Sequence, residues 1–192
     1  MSDTIDSPPD TGGPADPPAH GRVLAAPARG GAGLAVLRIV VGITWLHEAA
    51  WKTPPEFSGL ADWVSRPLEH PTLGAWNAMV EAVILPNLTQ FGWLTLLVEA
   101  SLGGFLIVGL ATRLWAAVGV LQATAIALSV ISVPGEWSYA YYLFIAAHIA
   151  LLAGAAGRSL GIDGLLRSRW LTLADHRSGV GGRAAWALGR AS

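Results

Sequence analysis

Four apolar runs set the terms for this chain: Gly33–Trp51, Leu88–Ala111, Leu114–Val133 and Trp137–Gly157. Each is about 19 to 24 residues long, enough for an α-helix to cross a hydrocarbon layer roughly 30 Å thick. Arg38, Glu48 and Glu99 are the only Asp, Glu, Lys or Arg residues within the runs. Across the whole chain 13% of residues are charged, about half the share usual in a soluble domain. The expected fold is therefore all-α, an integral membrane four-helix bundle with spans at about 33–51, 88–111, 114–133 and 137–157.

The flanks and connections complete this organisation. Residues 1–30 hold six of the 12 prolines and Asp3, Asp6, Asp10 and Asp16, the composition of a disordered tail. Residues 31–173 form the membrane domain, and 174–192 form a basic tail. Thr112–Arg113 and Pro134–Gly135–Glu136 are short enough to make antiparallel hairpins of the last three spans. Nine arginines fall on the side of the termini, against Lys52 and Arg66 on the other, so both termini are expected in the cytoplasm and the chain in the cell membrane. Loop 53–87 is then exterior. Phe57, Leu60, Ala61, Val64 and Leu68 recur at helical spacing, as do Leu73, Trp76, Val80 and Val83. They predict short interfacial helices, separated by Pro67 and Pro71 and stopped by Pro86–Asn87. Asp163 is placed to N-cap a last short helix, in which Leu165, Leu166, Trp170 and Leu173 join Arg167 and Arg169 against anionic headgroups.

Composition also excludes chemistry. The chain has no cysteine, which removes disulfides, thiol nucleophiles, thiolate-held clusters and covalently attached haem. No metal site is expected. A net charge of −1 gives no reason for a nucleic-acid partner.

An ionisable side chain at membrane depth is expensive, so each needs a partner or a purpose. Steps of 100° place Arg38, Trp45, Glu48 and Lys52 on one face of the first helix, within an arc of about 80°, with His47 opposite. Glu48 and Lys52 form an acid-then-base i,i+4 pair, and Arg38 is close enough to the inner end to snorkel. Glu99 has no basic residue within one helical turn. It must be protonated or paired across helices, with Arg38 and Lys52 as partners within reach. Gly103, Gly104 and Gly109 follow it, and Ala100 and Gly104 make a small-xxx-small step, so neighbouring backbones can come close. Gln122 and His148 fall near the depth of Glu99; each reads either as an interhelical hydrogen bond or as a contact to a ligand. A haem between His47 and His148 is disfavoured, because their depths differ by roughly 7 Å. A quinone suits these groups better. Glu48, His47, Glu99 and His148 supply polar contacts, and Trp45, Trp93, Tyr141 and Tyr142 supply walls.

Three stretches, taken in order, resemble a known family. They are LRIVVGITWLHEAAWK with Arg38, Gly42 and Lys52; ILPNLTQFGWLTLLVEASLGGFLIVGLATRLWA with Pro86, Asn87, Glu99, Gly109 and Arg113; and GAAGRSLGIDGLL with Gly157, Arg158 and Asp163. Together they resemble the DoxX/DoxD-like family, whose DoxD branch includes the small membrane subunit of thiosulfate:quinone oxidoreductase. The resemblance implies a membrane subunit of a quinone-linked redox system. Its catalytic centre would hold Glu99, Glu48, Arg38, Lys52 and His148, and its quinone would be lined by His47, Trp45, Trp93, Gln122, Tyr141 and Tyr142. The implied partners are the bilayer and a second redox subunit or soluble redox enzyme, with self-association left open. Two other readings remain at this point: a non-catalytic scaffold that recruits a redox or detoxifying enzyme, and a small proton-coupled transporter.

Overall fold

The structure is a computed structural model and describes residues 29–154, 156–176, 181–183 and 185–186. The expectations for the N-terminal tail and most of the C-terminal tail lie outside these residues, as does the side chain of Trp170. In chain order the helices are α1 (Arg29–Ala50), α2 (Ser58–Glu69), α3 (Gly74–Met79), α4 (Leu88–Val108), α5 (Thr112–Val130), α6 (Ser138–Gly154) and α7 (Ile162–His176). The described residues contain no strand.

Three helical stretches, Gly31–Ala50, Gly74–Val108 and Thr112–Val130, are long and apolar enough to cross a membrane. The fourth, α6, is apolar but has 17 residues. The second stretch begins well before the expected start of its span, because Pro86 does not break it. A π-turn at Val80–Ile84 passes into a 3-10 turn at Leu85–Asn87, which runs directly into α4. The Leu85 amide bonds back to the Val80 carbonyl, five residues away, and Asn87 Nδ2 donates to Val83 O at 2.8 Å. Proline lacks an N–H and crowds the preceding turn. The change of hydrogen-bond register, with the asparagine amide as a replacement donor, carries the helix past it.

α1 packs against α4 and α6, and α5 packs against α4 and α6. The four helices thus close in the order α1, α4, α5, α6 around Val41, Trp45, Leu102, Leu106, Ala116, Ala123 and Leu151. Their outer faces remain apolar: Val40, Leu97, Leu121 and Leu143 are all exposed. α1 and α4 come close at Gly42 and Gly103, where a Cβ on either would sit 3.0 Å from the other's carbonyl oxygen. Of the small residues that the sequence offered for such an approach, Gly103 makes it, whereas Ala100 and Gly104 of the small-xxx-small step are exposed and Gly104 has open space where a Cβ would stand.

α2 covers one end of this ring. Its entry residue Phe57, with Leu60 and Val64, packs on Val80 and Ile84. The Phe57 ring lies directly against Gly92. The segment after α2 is tied to the end of α5, where Thr72 Oγ1 donates to Leu128 O at 2.6 Å and Trp76 Nε1 to Ser129 Oγ at 3.2 Å. Leu68, Leu73 and Val83, from the same apolar periodicities, point outward.

Gly103→Leu should lower the thermal midpoint in detergent by an amount equivalent to roughly 1–3 kcal/mol, since the new side chain must displace Leu46 or the Gly42 backbone. Gly104→Leu, at the neighbouring position, should leave the midpoint unchanged.

Candidate functional site

Arg38, Trp45 and Lys52 are spaced seven residues apart, so each lies only about 20° around the helix from the last. All three are buried along the inner line of α1 and its C-terminal turn. Glu48, on the edge of the same face, is partly exposed, and His47, on the opposite face, is exposed.

Near the covered end, three helices meet at one carboxylate. Glu99 of α4 is fully buried, and its Oε2 lies 2.6 Å from Lys52 Nζ, whose side chain is 3% exposed. The Glu99 Oε1 accepts from Gln122 Nε2 of α5 at 3.3 Å. Lys52 also donates to Glu48, but to its backbone oxygen, at 2.7 Å. The Glu48 carboxylate accepts from Trp51 Nε1 at 3.1 Å, and Lys52 Nζ stands 4.1 Å from the centroid of the Trp51 ring. The i,i+4 pair expected within α1 therefore gives way to an ion pair across helices. A buried glutamate gains more from an ammonium than a half-solvated one does, because no water competes for it.

His148 belongs to a separate arrangement. Its Nε2 is 2.8 Å from Trp45 Nε1, and its Nδ1 is 2.8 Å from Phe144 O. An indole N–H can only donate and a carbonyl can only accept, so the ring is the neutral Nδ1–H tautomer with both nitrogens engaged. Phe144 packs edge-on against the imidazole at 4.7 Å between centroids, and Gly119 is flush against it, leaving no room for a Cβ.

Arg38 takes neither course weighed from the sequence: it is fully buried, and it turns to the opposite end of the ring from Glu99. It donates to Ala156 O at 3.1 Å, Ser159 O at 3.4 Å and Leu160 O at 2.9 Å. Gly109 (φ 68°) and Gly161 leave the space its guanidinium occupies. Asp163 lies beside this group. Rather than capping α7, where it sits in the first turn, it accepts from the Ala111 and Thr112 amides at 2.7 and 2.8 Å and so caps α5. The sequence carries one signal of this: Ala111, the residue before α5, has no side chain able to cap it.

The remaining candidates are dispersed. Trp93 is exposed and edge-on to Phe57. Tyr141 donates to Glu136 Oε2 at 2.9 Å, and Tyr142 is exposed against Tyr139. The described residues contain no group of side chains suited to holding a metal ion.

Lys52→Met should cost about 3–5 kcal/mol in detergent unfolding, because it leaves the Glu99 carboxylate buried without its cation. The double variant Lys52→Met, Glu99→Met should recover most of that loss, since both charges are then gone.

Residues 67–177 match the model of a protein family described as the TQO small subunit DoxD. The match covers more than half of the 192 residues and includes Glu99, Gln122, His148 and Asp163. The α1 residues Arg38, Trp45 and Lys52 precede it. No curated protein and no solved structure matches the chain. By this match, centred on the helices that carry the buried glutamate and its amide partner, the chain belongs to the DoxD family.

Proposed function

We propose that this chain is a four-span membrane subunit of a quinone-linked redox system, working beside a second subunit, with Lys52, Glu99 and Gln122 as its quinone-contacting centre. The carrying observation is the buried Lys52–Glu99 pair, which joins apolar helices near one end of the ring. The family name supports the redox setting through thiosulfate:quinone oxidoreductase.

The donor set fits a quinone. Lys52 Nζ has three N–H groups, of which the Glu99 carboxylate and the Glu48 carbonyl take two. Gln122 Nε2 has two, of which Glu99 takes one. One donor on each side chain is left for a carbonyl oxygen. A bound quinone would supply reversible two-electron, two-proton chemistry. Glu99 can hold a proton at Oε1 or Oε2, while Lys52 and Gln122 fix the orientation of its carboxyl group. His148, with both nitrogens committed, holds Trp45 in place.

In this reading α6 completes the fourth span with the turns flanking it, and both termini are cytoplasmic. The covered end, with α2 and Lys52, is exterior. The absence of cysteine makes that placement easy to check. A single cysteine at Ser65 should react with an impermeant maleimide on intact cells, and one at Ser178 only after permeabilisation. The reverse pattern would invert the topology.

For the site itself, the protein in nanodiscs should quench its own tryptophan fluorescence on titration with a short-chain ubiquinone or menaquinone analogue. Glu99→Gln should weaken that binding about 10- to 100-fold, because it removes the charge-assisted bond that holds the Lys52 donor towards the quinone. Quinone binding that is absent, or equal in Glu99→Gln, would leave the pair as a device for orienting helices. The scaffold reading would then stand, and a soluble partner should be lost on deleting residues 174–192 or replacing 53–87.

A further inference from the structure

The buried line of α4 begins with Gly92, Thr95 and Glu99 and continues through Leu102, Gly103 and Leu106. The Phe57 ring lies against Gly92, and Lys52 and Gln122 meet Glu99. Thr95 falls between these two contacts, one turn from the glutamate towards the covered end, and is 6% exposed.

A hydroxyl inside an apolar bundle loses its water and needs another partner. Within a helix the nearest is the carbonyl four residues back. Thr44, Thr124 and Ser129 take that course, donating to Val40 O, Val120 O and Ala125 O at 3.0, 2.7 and 3.0 Å. Thr95 does not. Among the described residues its hydroxyl has no hydrogen-bond partner, on its own helix or on another. An unmade bond at a buried group is a cost that valine, of the same shape, would not carry.

The donors left over on Lys52 Nζ and Gln122 Nε2 stand at Glu99. Thr95 is four residues away on the same line, about 6 Å along the axis. The two oxygens of a quinone stand across its ring from one another, a span of the same order.

We infer that Thr95 is the second polar contact of the site: its hydroxyl binds the far oxygen of a quinone whose near oxygen takes the spare donors of Lys52 and Gln122. The ligand class narrows to rings with two opposed oxygens, since a ring with one carbonyl lacks the Thr95 bond. A hydroxyl suits the position in both redox forms of such a ligand. It donates to the carbonyl of a quinone and accepts from the hydroxyl of a quinol, whereas an ammonium only donates. The Phe57 ring, fully buried, closes the line beyond Thr95. This inference rests on the quinone reading above and adds to it a residue and a requirement on the substrate.

The test is isothermal titration calorimetry of the full chain in nanodiscs, with empty discs as the blank. The two probes are menadione and α-tetralone, which keeps the fused rings but has one carbonyl. The wild-type protein should prefer menadione about three- to tenfold, the value of one neutral hydrogen bond. Thr95→Val should weaken menadione by that factor and leave α-tetralone unchanged, so that the preference disappears. Thr95→Ser, which restores the hydroxyl, should bring the preference back, and Thr95→Ala should repeat the loss if valine is not tolerated. Without ligand, the thermal midpoint of Thr95→Val should be unchanged or raised, because the unpartnered hydroxyl is gone. An equal loss of both probes would make Thr95 a matter of shape and overturn the inference. So would a lowered midpoint with menadione binding intact, which would make the hydroxyl structural. Menadione binding that Glu99→Gln weakens and Thr95→Val does not would remove Thr95 and leave the quinone reading standing; a wild-type protein that binds neither probe would remove both.

Discussion

A carboxylate in the middle of an apolar helix has to be answered from another helix, and much of this molecule is arranged around that requirement. Gly42 and Gly103 mark where α1 and α4 meet. Lys52 lies ten residues beyond Gly42, about 15 Å along α1, and Glu99 lies four residues before Gly103, about 6 Å along the antiparallel α4. The difference of about 9 Å is near the combined reach of the two side chains. A lysine at the end of α1 can therefore fold back to the glutamate, the reverse of the snorkelling expected of a cation at a membrane surface. The close glycine contact is what keeps this reach sufficient. A wider α1–α4 separation would move the ammonium away from the carboxylate at high cost, because the glutamate has no water to fall back on.

The two ends of the ring solve the problem of buried charge differently. At the covered end a cation and an anion meet directly, and Gln122 orients the anion. At the other end Arg38 and Asp163 lie near each other, but each is bound mainly to backbone. Arg38 takes carbonyls left over after α6, and Asp163 takes amides left over before α5. Helix termini always carry such unpaired groups. Two charged side chains thus replace water at two helix ends and fix the turn from α4 to α5 against the start of α7. Glycines at 109 and 161 are required because the guanidinium occupies the space of their side chains.

The helices, their apolar character and the inward line of α1 were legible in the sequence, since run length and a 100° step per residue suffice for them. Partners were not. Arg38, Trp45 and Lys52 share a face, yet their side chains go to a set of carbonyls, a histidine and a glutamate. Periodicity reports direction around a helix, and pairing depends on depth, crossing angle and reach as well. Pro86 misled for a related reason: the rule that proline stops a helix assumes an unbroken i to i−4 ladder, and the π and 3-10 turns around it change that ladder. Asp163 misled because a side chain can cap a helix other than its own.

These pairings separate groups that the sequence had placed in one polar set. His148 and Trp45 satisfy each other, and Phe144 O takes the remaining imidazole nitrogen, so this histidine can give or accept a proton only by breaking a buried hydrogen bond. Lys52 and Gln122 differ, because each retains a donor after serving Glu99. In the quinone reading proposed above, the proton is taken up at Glu99, on a carboxylate oriented from two sides. The same arithmetic connects structure to function in this small bundle: a buried polar group that is fully satisfied stabilises the fold, and one with a donor to spare can also bind.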